Sequence, residues 1–533
     1  MKFSLAADFQ IIITPNSPNL KRRFLYSTVL RLNLGEFFEK MKTPLILVLD
    51  IGTSSVRAAL YDSAANVLPA TMVKNERRLT ATDDGGAEID ARLAFTQVVK
   101  TIDDVLKKAE NIKGEICYVA TSSFWHSLVG IDEAGKPTTK VFGWADTRSA
   151  KYVGELRKNF DESALHNRTG ARFHSSFWTA KLLWLRKDFP IVFERTNQWL
   201  SFSDFAALKL FGAAKSSVSM ASATGIFDIR KNNWDAELLK FLKVKPDDLP
   251  EVVETDAQTF RLNKKYAVRW KQLKNAEWLA AIGDGATNNI GAGCVQKSKA
   301  ALMIGTSGAM RVAFAGEPPA KIPNGLWCYR IDRKRIIIGG ALSDGGGLYY
   351  WLKDNLKLNG TDDEIENEIA RRAPDSHELT FLPFLAGERS TGYNESARGG
   401  ILGLKSSTDT IDIVQAALES IAYRFAEIFD QLNEVCKIHE IIASGGALRE
   451  SLVWTQIIAD VFGQNMSLPD TREASSRGAV LLALETIGKI ESIEKQETPK
   501  GREFKFNKKR NAIYKKARER HEKFYKLLIE NTH

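Results

Sequence analysis

Asp50 stands at the end of an apolar run, Leu45-Ile46-Leu47-Val48-Leu49. It is followed by Ile51, Gly52 and three hydroxyl residues, Thr53, Ser54 and Ser55, before the chain resumes as Val56-Arg57-Ala58-Ala59-Leu60. Two strands joined in this way form a hairpin, whose usual tip is Asn-Gly or a similarly tight turn. Here the tip collects a carboxylate, a glycine and three hydroxyls instead. Glycine lets the backbone approach a ligand closely, and successive N–H groups with hydroxyls form a concave donor nest for an anion. A carboxylate beside such a nest can hold the divalent cation that accompanies a polyphosphate. Taken alone, the stretch reads equally well as an ordinary turn.

The stretch is repeated. Ile-Gly-Thr-Ser at 51–54 recurs letter for letter at 304–307, again between an apolar strand and a second strand that begins near an arginine (Arg57, Arg311). Met303 takes the place of Asp50 in the second copy. Two nests facing across a cleft, only one with a carboxylate, suit a polyphosphate whose metal is held from one side. The surroundings are also similar. The first half predicts strands near 66–74, a helix near 91–110 and the strand EICYVATS. The second predicts the strand RIIIGGA, helices near 343–357 and 362–372, and the strand HEIIAS between helices. Strands first, then alternating helix and strand, predict a mixed α/β sheet flanked by helices in each half.

At 533 residues the chain is too long for one core. Its 44% hydrophobic and 26% charged residues are ordinary globular composition, and no run approaches the 18 apolar residues of a membrane span. Cys117, Cys294, Cys328 and Cys436 are scattered with no CxxC pair, and read as buried thiols of a cytoplasmic protein. The formal charge of +10 sits at the two ends of the chain, residues 1–42 and 500–533, with a near-neutral body between. In the tail, Ile513, Ala517, His521, Phe524 and Leu528 fall at helical spacing, predicting an amphipathic helix that docks by that face. No aromatic-interleaved basic stripe accompanies it, so neither a nucleic-acid nor a membrane partner is expected. Met41-Lys42 lies directly before the first strand. Residues 1–43 therefore read as an extension from an upstream start codon, with a targeting peptide as the alternative. GIDEAGKP at 130–137 spells most of a phosphate-binding loop, but Pro137 replaces the needed hydroxyl and removes an N–H, so it reads as a hairpin turn.

Five ordered motifs carry a resemblance. They are GWADTRS (143–149), GDGATNN (283–289), FLPFLAGERS (381–390), GGILGLKSSTDTIDIVQAALE (399–419) and ASGGALRES (443–451). With the two nests, the chain resembles the FGGY family of carbohydrate kinases, built like actin and hexokinase from two ribonuclease-H-like domains around an ATP cleft. The resemblance runs from about residue 44 to 530. It implies an N-terminal domain at 44–295, a C-terminal domain at 296–490 and a basic segment at 491–533 with the amphipathic helix.

The resemblance also implies roles. Asp50 would serve Mg2+; Thr53, Ser54, Ser55, Arg57 and Thr306 would meet the phosphates of ATP; Gly346, Gly446 and Glu450 would line the adenosine side. Asp284, by position a helix cap, would be the general base for the acceptor hydroxyl. Glu88, Trp125, His126, Trp144, Asp146 and Arg148 would form the acceptor pocket, although Trp125 and Trp144 also fit core packing. Glycerol kinases carry an Arg-Glu pair where this chain has Leu79-Thr80, which argues against glycerol. The motif wording is most similar to gluconate kinases, and Arg148 or Arg172 would then face the substrate carboxylate. A xylulose or other ketose kinase is the near alternative, and an actin-like ATPase without an acceptor the distant one. A monomer or homodimer acting on a small sugar or sugar acid is expected.

Overall fold

A strand apolar at every position needs cover on both faces. In the computed structural model, which describes residues 44–77, 79–254, 259–470 and 473–530, Leu45–Ile51 has that cover. It belongs to β1 (Pro44–Ile51), which pairs antiparallel with β2 (Ser55–Tyr61), and β3 (Val73–Glu76) extends that edge. Helix α1 (Ala91–Lys108) starts at Asp90, whose side chain caps the N–H groups of Arg92 and Leu93. Strand β4 (Glu115–Ser123) then runs parallel to β1. After α2 (Trp178–Asp188), strands β5 (Thr259–Phe260) and β6 (Glu277–Leu279) complete one edge. The short β7 (Ile282–Gly283) lies parallel to the end of β4 and leads into α3 (Asp284–Gly291).

The second half repeats the plan. Strands β8 (Lys299–Ile304) and β9 (Gly308–Ala315) form the hairpin, and β10 (Trp327–Arg330) and β11 (Arg335–Leu342) extend its edge. Helices α4 (Gly346–Asn355), α5 (Asp362–Arg371) and α6 (Thr410–Val435) precede β12 (Glu440–Ser444), parallel to β8. Then come α7 (Gly446–Glu450), α8 (Leu452–Phe462), β13 (Met466–Pro469) and α9 (Ala474–Thr486). Each domain thus holds a seven-stranded mixed sheet. The registers match: Asp50 lies opposite Ser122 on its parallel neighbour, and Met303 lies opposite Ser444 on its own. The repeat read in the sequence is therefore a repeat of position.

Alternation along β1 sends Leu45, Leu47 and Leu49 towards α1, where they pack with Val98, Ile102 and Val105. Ile46 and Val48 face the other way, onto Ala479, Val480, Ala483 and Leu484 of α9. A helix from the second half thus closes the core of the first. Helices α9 and α3 cross with their backbones touching: a Cβ on Gly478 would lie 1.8 Å from the Thr287 carbonyl oxygen, and one on Gly291 1.8 Å from that of Ala474.

Strand β14 (Gly501–Phe504) pairs antiparallel with β13, and α10 (Lys508–Leu528) docks beside it. The docked face shares Ala517 and His521 with the one the spacing predicts and differs at its other positions. Asn511, Tyr514, Ala517, His521 and Tyr525 are buried, whereas Ile513 and Leu528 are exposed. The helix is turned by about one residue from that face, burying the rings of Tyr514 and Tyr525, and the Tyr525 hydroxyl still reaches a partner. Tyr525 Oη donates to Glu388 at 2.9 Å, beside a buried Glu388–Arg424 ion pair. Residues 130–137 form a turn closed by a bridge from Ile131 to Pro137, as the sequence predicts. Three of the four cysteines are buried and Cys117 is half-buried; all are free. The expectations for residues 1–43 lie outside the described residues, among which no helix is long and apolar enough to cross a membrane.

Candidate active site

The two repeated turns close differently: Gly52 N–H donates to the Ser55 carbonyl three residues on, whereas Gly305 N–H donates to that of Ser307 only two residues on, each at 2.9 Å. In the first turn Ser55 is buried and Ser54 exposed, with Thr53 between these extremes. Arg77 props the turn from behind: it donates to the Gly52 and Thr53 carbonyls and stacks over Phe124 and Phe202. Arg57 bridges the domains, 3.3 Å from Glu473 and 3.8 Å from Asp50. At the second turn Thr306 is exposed, and the N-terminus of α4 packs directly on it, Gly346 and Gly347 donating to the carbonyls of Gly305 and Thr306. Gly445 also abuts this turn with a φ of 101°, where a Cβ would fall 2.1 Å from the Ile304 carbonyl oxygen. Glycine is required there for both reasons.

Two carboxylates flank the end of β4. Asp50 comes from β1 opposite Ser122, and Asp284 follows Gly283, which lies opposite Ser123. Both emerge at the carboxyl ends of parallel strands, where open α/β sheets bind ligands. Asp284 is the first residue of α3 and accepts the Gly285 N–H at 2.8 Å. Burial pushes the Asp50 carboxyl up to about 6, with Arg57 opposing and Asp284 adding to the rise. Burial likewise raises Asp284, with Arg311 opposing. Two crowded acids with raised proton affinity and hard oxygen donors fit a divalent cation, which would relieve both the burial and the mutual repulsion. Arg311, itself buried, lies against Gly285 beside Asp284, and its Nε and Nη1 have no hydrogen-bond partner among the described residues.

The residues expected to form an acceptor pocket begin where β4 ends. The Trp125 ring fills the space over Gly283 and Gly285, where a Cβ would come within 1.9 and 2.4 Å of it, and Nε1 donates to the Ser219 carbonyl at 3.1 Å. It is the platform under Asp284, so core packing and site architecture coincide in one residue. His126 takes a left-handed φ of 63°, unusual for a residue with a Cβ. Its Nδ1 lies 2.7 Å from the Ala223 carbonyl and must carry the proton, leaving Nε2 as an acceptor. Burial, reinforced by Arg389, holds His126 well below its ordinary value and hence neutral. Trp144 is half-buried; its carbonyl accepts the Ser176 hydroxyl and its ring lies 5.0 Å beneath the Arg389 guanidinium.

Asp146, Arg148 and Glu88 form one ion-paired group. Arg148 Nη2 lies 2.6 Å from Asp146 and 2.7 Å from Glu88, and Asp146 also accepts the Ala87 N–H at 3.1 Å. Arg148 is therefore already neutralised. Arg172 lies 2.9 Å from Glu162 and donates to the Asn324 carbonyl at 3.0 Å. Both arginines expected to face a substrate carboxylate already carry carboxylate partners within the protein. The sequence reading did not single out the cations Arg311, Arg389 and Lys181. Lys181 is fully buried in α2, bonded to the Ser175 carbonyl, and burial pulls it down to about 8 against the pull of Asp146. A lysine inside the apolar run WTAKLLWL was the available signal.

In the second half, α4, α5, α7 and the start of α8 enclose a cavity of about 400 Å³ lined by Gly346, Tyr349, Tyr350, Glu450 and Trp454, and it includes two of the residues expected to meet the adenosine, Gly346 and Glu450. Glu450 accepts the Tyr350 hydroxyl at 3.0 Å at its exposed edge, and Gly446 begins α7 nearby. A second acidic cluster, Asp375, His377 and Glu419, has metal-like spacing. Its groups are already satisfied. His377 Nδ1 accepts the Leu379 N–H, so Nε2 donates to Glu419, which also accepts from Gln415 and Tyr423, while Asp375 grips Arg520. The signature residue Glu419 thus ties α6 to its neighbours.

Two domain models of the FGGY family of carbohydrate kinases match this chain, the N-terminal one over residues 45–291 and the C-terminal one over 300–486. The chain belongs to this family. It is a carbohydrate kinase, a phosphotransferase whose family uses ATP as phosphate donor. Its relatives include the gluconokinase of Bacillus subtilis (29% identical, covering 85% of this chain and 89% of that one) and the xylulose kinase of Staphylococcus xylosus (26%, 82% and 90%). Among solved structures, the gluconate kinase of Lactobacillus acidophilus superposes with a TM-score of 0.83 at 26% identity, covering 91% of this chain and 98% of that one. The xylulose kinase of the same organism does so with a TM-score of 0.83 at 27% identity, with the same coverage.

Proposed function

We propose that this kinase transfers the γ-phosphoryl group of ATP to the primary hydroxyl of gluconate, giving 6-phosphogluconate. The observation that carries the reading is Asp284. It is a carboxylate of raised proton affinity at the strand ends, on a tryptophan platform, next to a pocket with more cations than its acids neutralise. Phosphoryl transfer asks a protein for positioning and charge stabilisation, plus a group to receive the acceptor's proton. Asp284 takes that proton from the hydroxyl. The N–H groups and hydroxyls of Thr53, Ser54, Ser55 and Thr306 hold the phosphates from two sides, and Arg57 adds charge at the seam. Asp50 holds Mg2+, which when bound neutralises phosphate charge. Neutral His126 accepts a substrate hydroxyl through Nε2, and Glu88 and Asp146 do the same at the pocket wall. Gly346, Gly446 and Glu450 border the adenosine.

Gluconokinases and xylulose kinases both stand among the relatives, and the excess of positive charge from Lys181, Arg311 and Arg389 favours the anionic acceptor. A coupled ADP-release assay over gluconate, D-xylulose, L-ribulose and glycerol tests this. Gluconate should give the highest kcat/KM, and a higher value on a ketose would replace the substrate while leaving the kinase assignment standing.

A further inference from the structure

Glu395 stands in the second domain, yet its carboxylate serves the first. It accepts the Ser175 N–H, and His174 Nε2 lies 3.4 Å away. The Glu395 side chain is 12% exposed, and His174, Ser175 and Ser176 are buried. His174 Nδ1 accepts the Ser176 N–H at 3.1 Å, so Nε2 carries the ring proton on the side of Glu395. Burial pulls His174 down to about 4, with Glu395 opposing and Arg389, Lys181 and Arg157 adding to the fall. The ring is therefore neutral, and its contact with Glu395 is a polar contact and not an ion pair.

The segment that Glu395 grips supports a residue of the acceptor pocket. The Ser175 carbonyl accepts from Lys181, and the Ser176 hydroxyl donates to the Trp144 carbonyl at 2.8 Å. Trp144 in turn lies beneath Arg389 of the second domain. Neighbouring contacts follow the same seam. Arg157 donates to the carbonyls of Phe173 and Tyr393, and the Arg172 guanidinium rests 5.6 Å from the centre of the Tyr393 ring. On its own side Glu395 is carried by a tied loop: Glu388 N–H donates to the Asn394 carbonyl at 2.9 Å, and Asn394 Nδ2 to the Ile529 carbonyl at 3.0 Å. Gly346 and Glu450, expected to meet the adenosine, belong to that same domain. A displacement of about 1 Å between acceptor and phosphate costs about 100-fold in rate, so a bond running from the nucleotide domain to the acceptor wall has a kinetic use.

We propose that Glu395 is a positioning residue that holds residues 174–176 to the second domain and so fixes the Trp144 wall of the acceptor pocket relative to the nucleotide. The inference rests on the reading of Trp144 as part of that pocket, and not on which sugar or acid fills it. The test measures KM for gluconate, or for the ketose that displaces it in the acceptor panel, and KM for ATP. It compares wild type, Glu395→Ala, Glu395→Gln and Trp144→Ala, with a thermal melt of each. Glu395→Ala should raise the acceptor KM roughly tenfold, the low end for a lost hydrogen bond to a charged group, and leave the ATP KM within about twofold of wild type. Glu395→Gln keeps an amide oxygen for the Ser175 N–H and should stay within about threefold of wild type. An acceptor KM unchanged in Glu395→Ala, a Gln variant as impaired as Ala, or a fall in kcat with both KM values unmoved would overturn the assignment. If Ala does not fold, Glu395→Asp decides. Its carboxylate is withdrawn by one methylene and should raise the acceptor KM alone; parallel changes in both KM values would count against the proposal. Trp144→Ala reports on the pocket itself. An unchanged acceptor KM there refutes the pocket reading and this inference with it. A raised one beside an unchanged Glu395→Ala removes the inference alone.

Discussion

Replacing Asp284 with asparagine separates chemistry from structure at the centre of the site. Asn keeps the size of the side chain and can still accept the Gly285 N–H through Oδ1, the 2.8 Å bond that Asp284 makes. It gives up a negative charge at the first turn of α3, worth about 0.3–1 kcal/mol against the helix dipole, and leaves Arg311 without its counter-charge. Against these losses, burial already disfavours the ionised Asp284, so a neutral side chain removes a desolvation cost. The opposing terms are of similar size, and the melting temperature should move by only a few degrees. Turnover should not be spared. A positioned base contributes about 10²–10⁴-fold, equivalent to roughly 3–5 kcal/mol of barrier. ADP release at saturating ATP and gluconate should therefore fall at least ~100-fold, with ATP binding retained in a parallel titration. A variant that melts like wild type and turns over within about tenfold of it would show that Asp284 only starts a helix, and the proton-transfer assignment would be withdrawn.

Asp50 makes a prediction about pH. Its carboxyl is raised from 3.8 to about 6 in the folded protein, so the fold holds a proton that the unfolded chain has released. The resulting stabilisation is complete below about pH 4 and is lost as the pH rises through 6. In ligand-free protein, Asp50→Asn should match wild type near pH 4 and melt progressively higher than wild type towards pH 7; a difference that stays constant with pH would contradict the burial argument. At the helix crossing, Gly478→Ala drives a Cβ to 1.8 Å from a backbone carbonyl that cannot swing aside. The helices must separate at a cost of about 3 kcal/mol or more, read as a lower melting temperature and reduced soluble yield. Gly154→Ala, in a helix with nothing within 4 Å of the added carbon, is the matched control and should be neutral or stabilising. Equal melting of the two variants would mean that the crossing relaxes freely.

Local pattern carried much of this into view. The hairpins at Asp50 and Met303 are legible because an apolar strand, a glycine and a hydroxyl run are contiguous, and their equivalence is confirmed by the matching Ser122 and Ser444 registers. Asp284 is legible as the residue between two glycines after a strand. The pairing of charges is not. Arg148 stands two residues from Asp146, but its second partner, Glu88, comes from another part of the chain, and nothing in the sequence says that Arg389 has no carboxylate partner among the described residues. Arg172 is quenched by Glu162 only because the chain folds back between them. The docked face of α10 was misread for a related reason. Counting aliphatic side chains favours Ile513 and Leu528, whereas the partners for buried tyrosine hydroxyls, such as Glu388, lie more than a hundred residues away.

The cover that α9 lays over Ile46, Val48, Ala59 and Leu279 sets an order of events during synthesis. Translation at roughly 5–20 residues per second needs about 10–40 s to pass from Gly291, where the first sheet has all its strands, to Thr486, where its second layer ends. Throughout that interval the nascent N-terminal domain carries an uncovered apolar face, an adhesive surface that a chaperone can shield. A message truncated before codon 474 would yield a sticky fragment instead of a small stable domain. A two-piece version of the protein would assemble only if the second piece arrived while the first was still soluble.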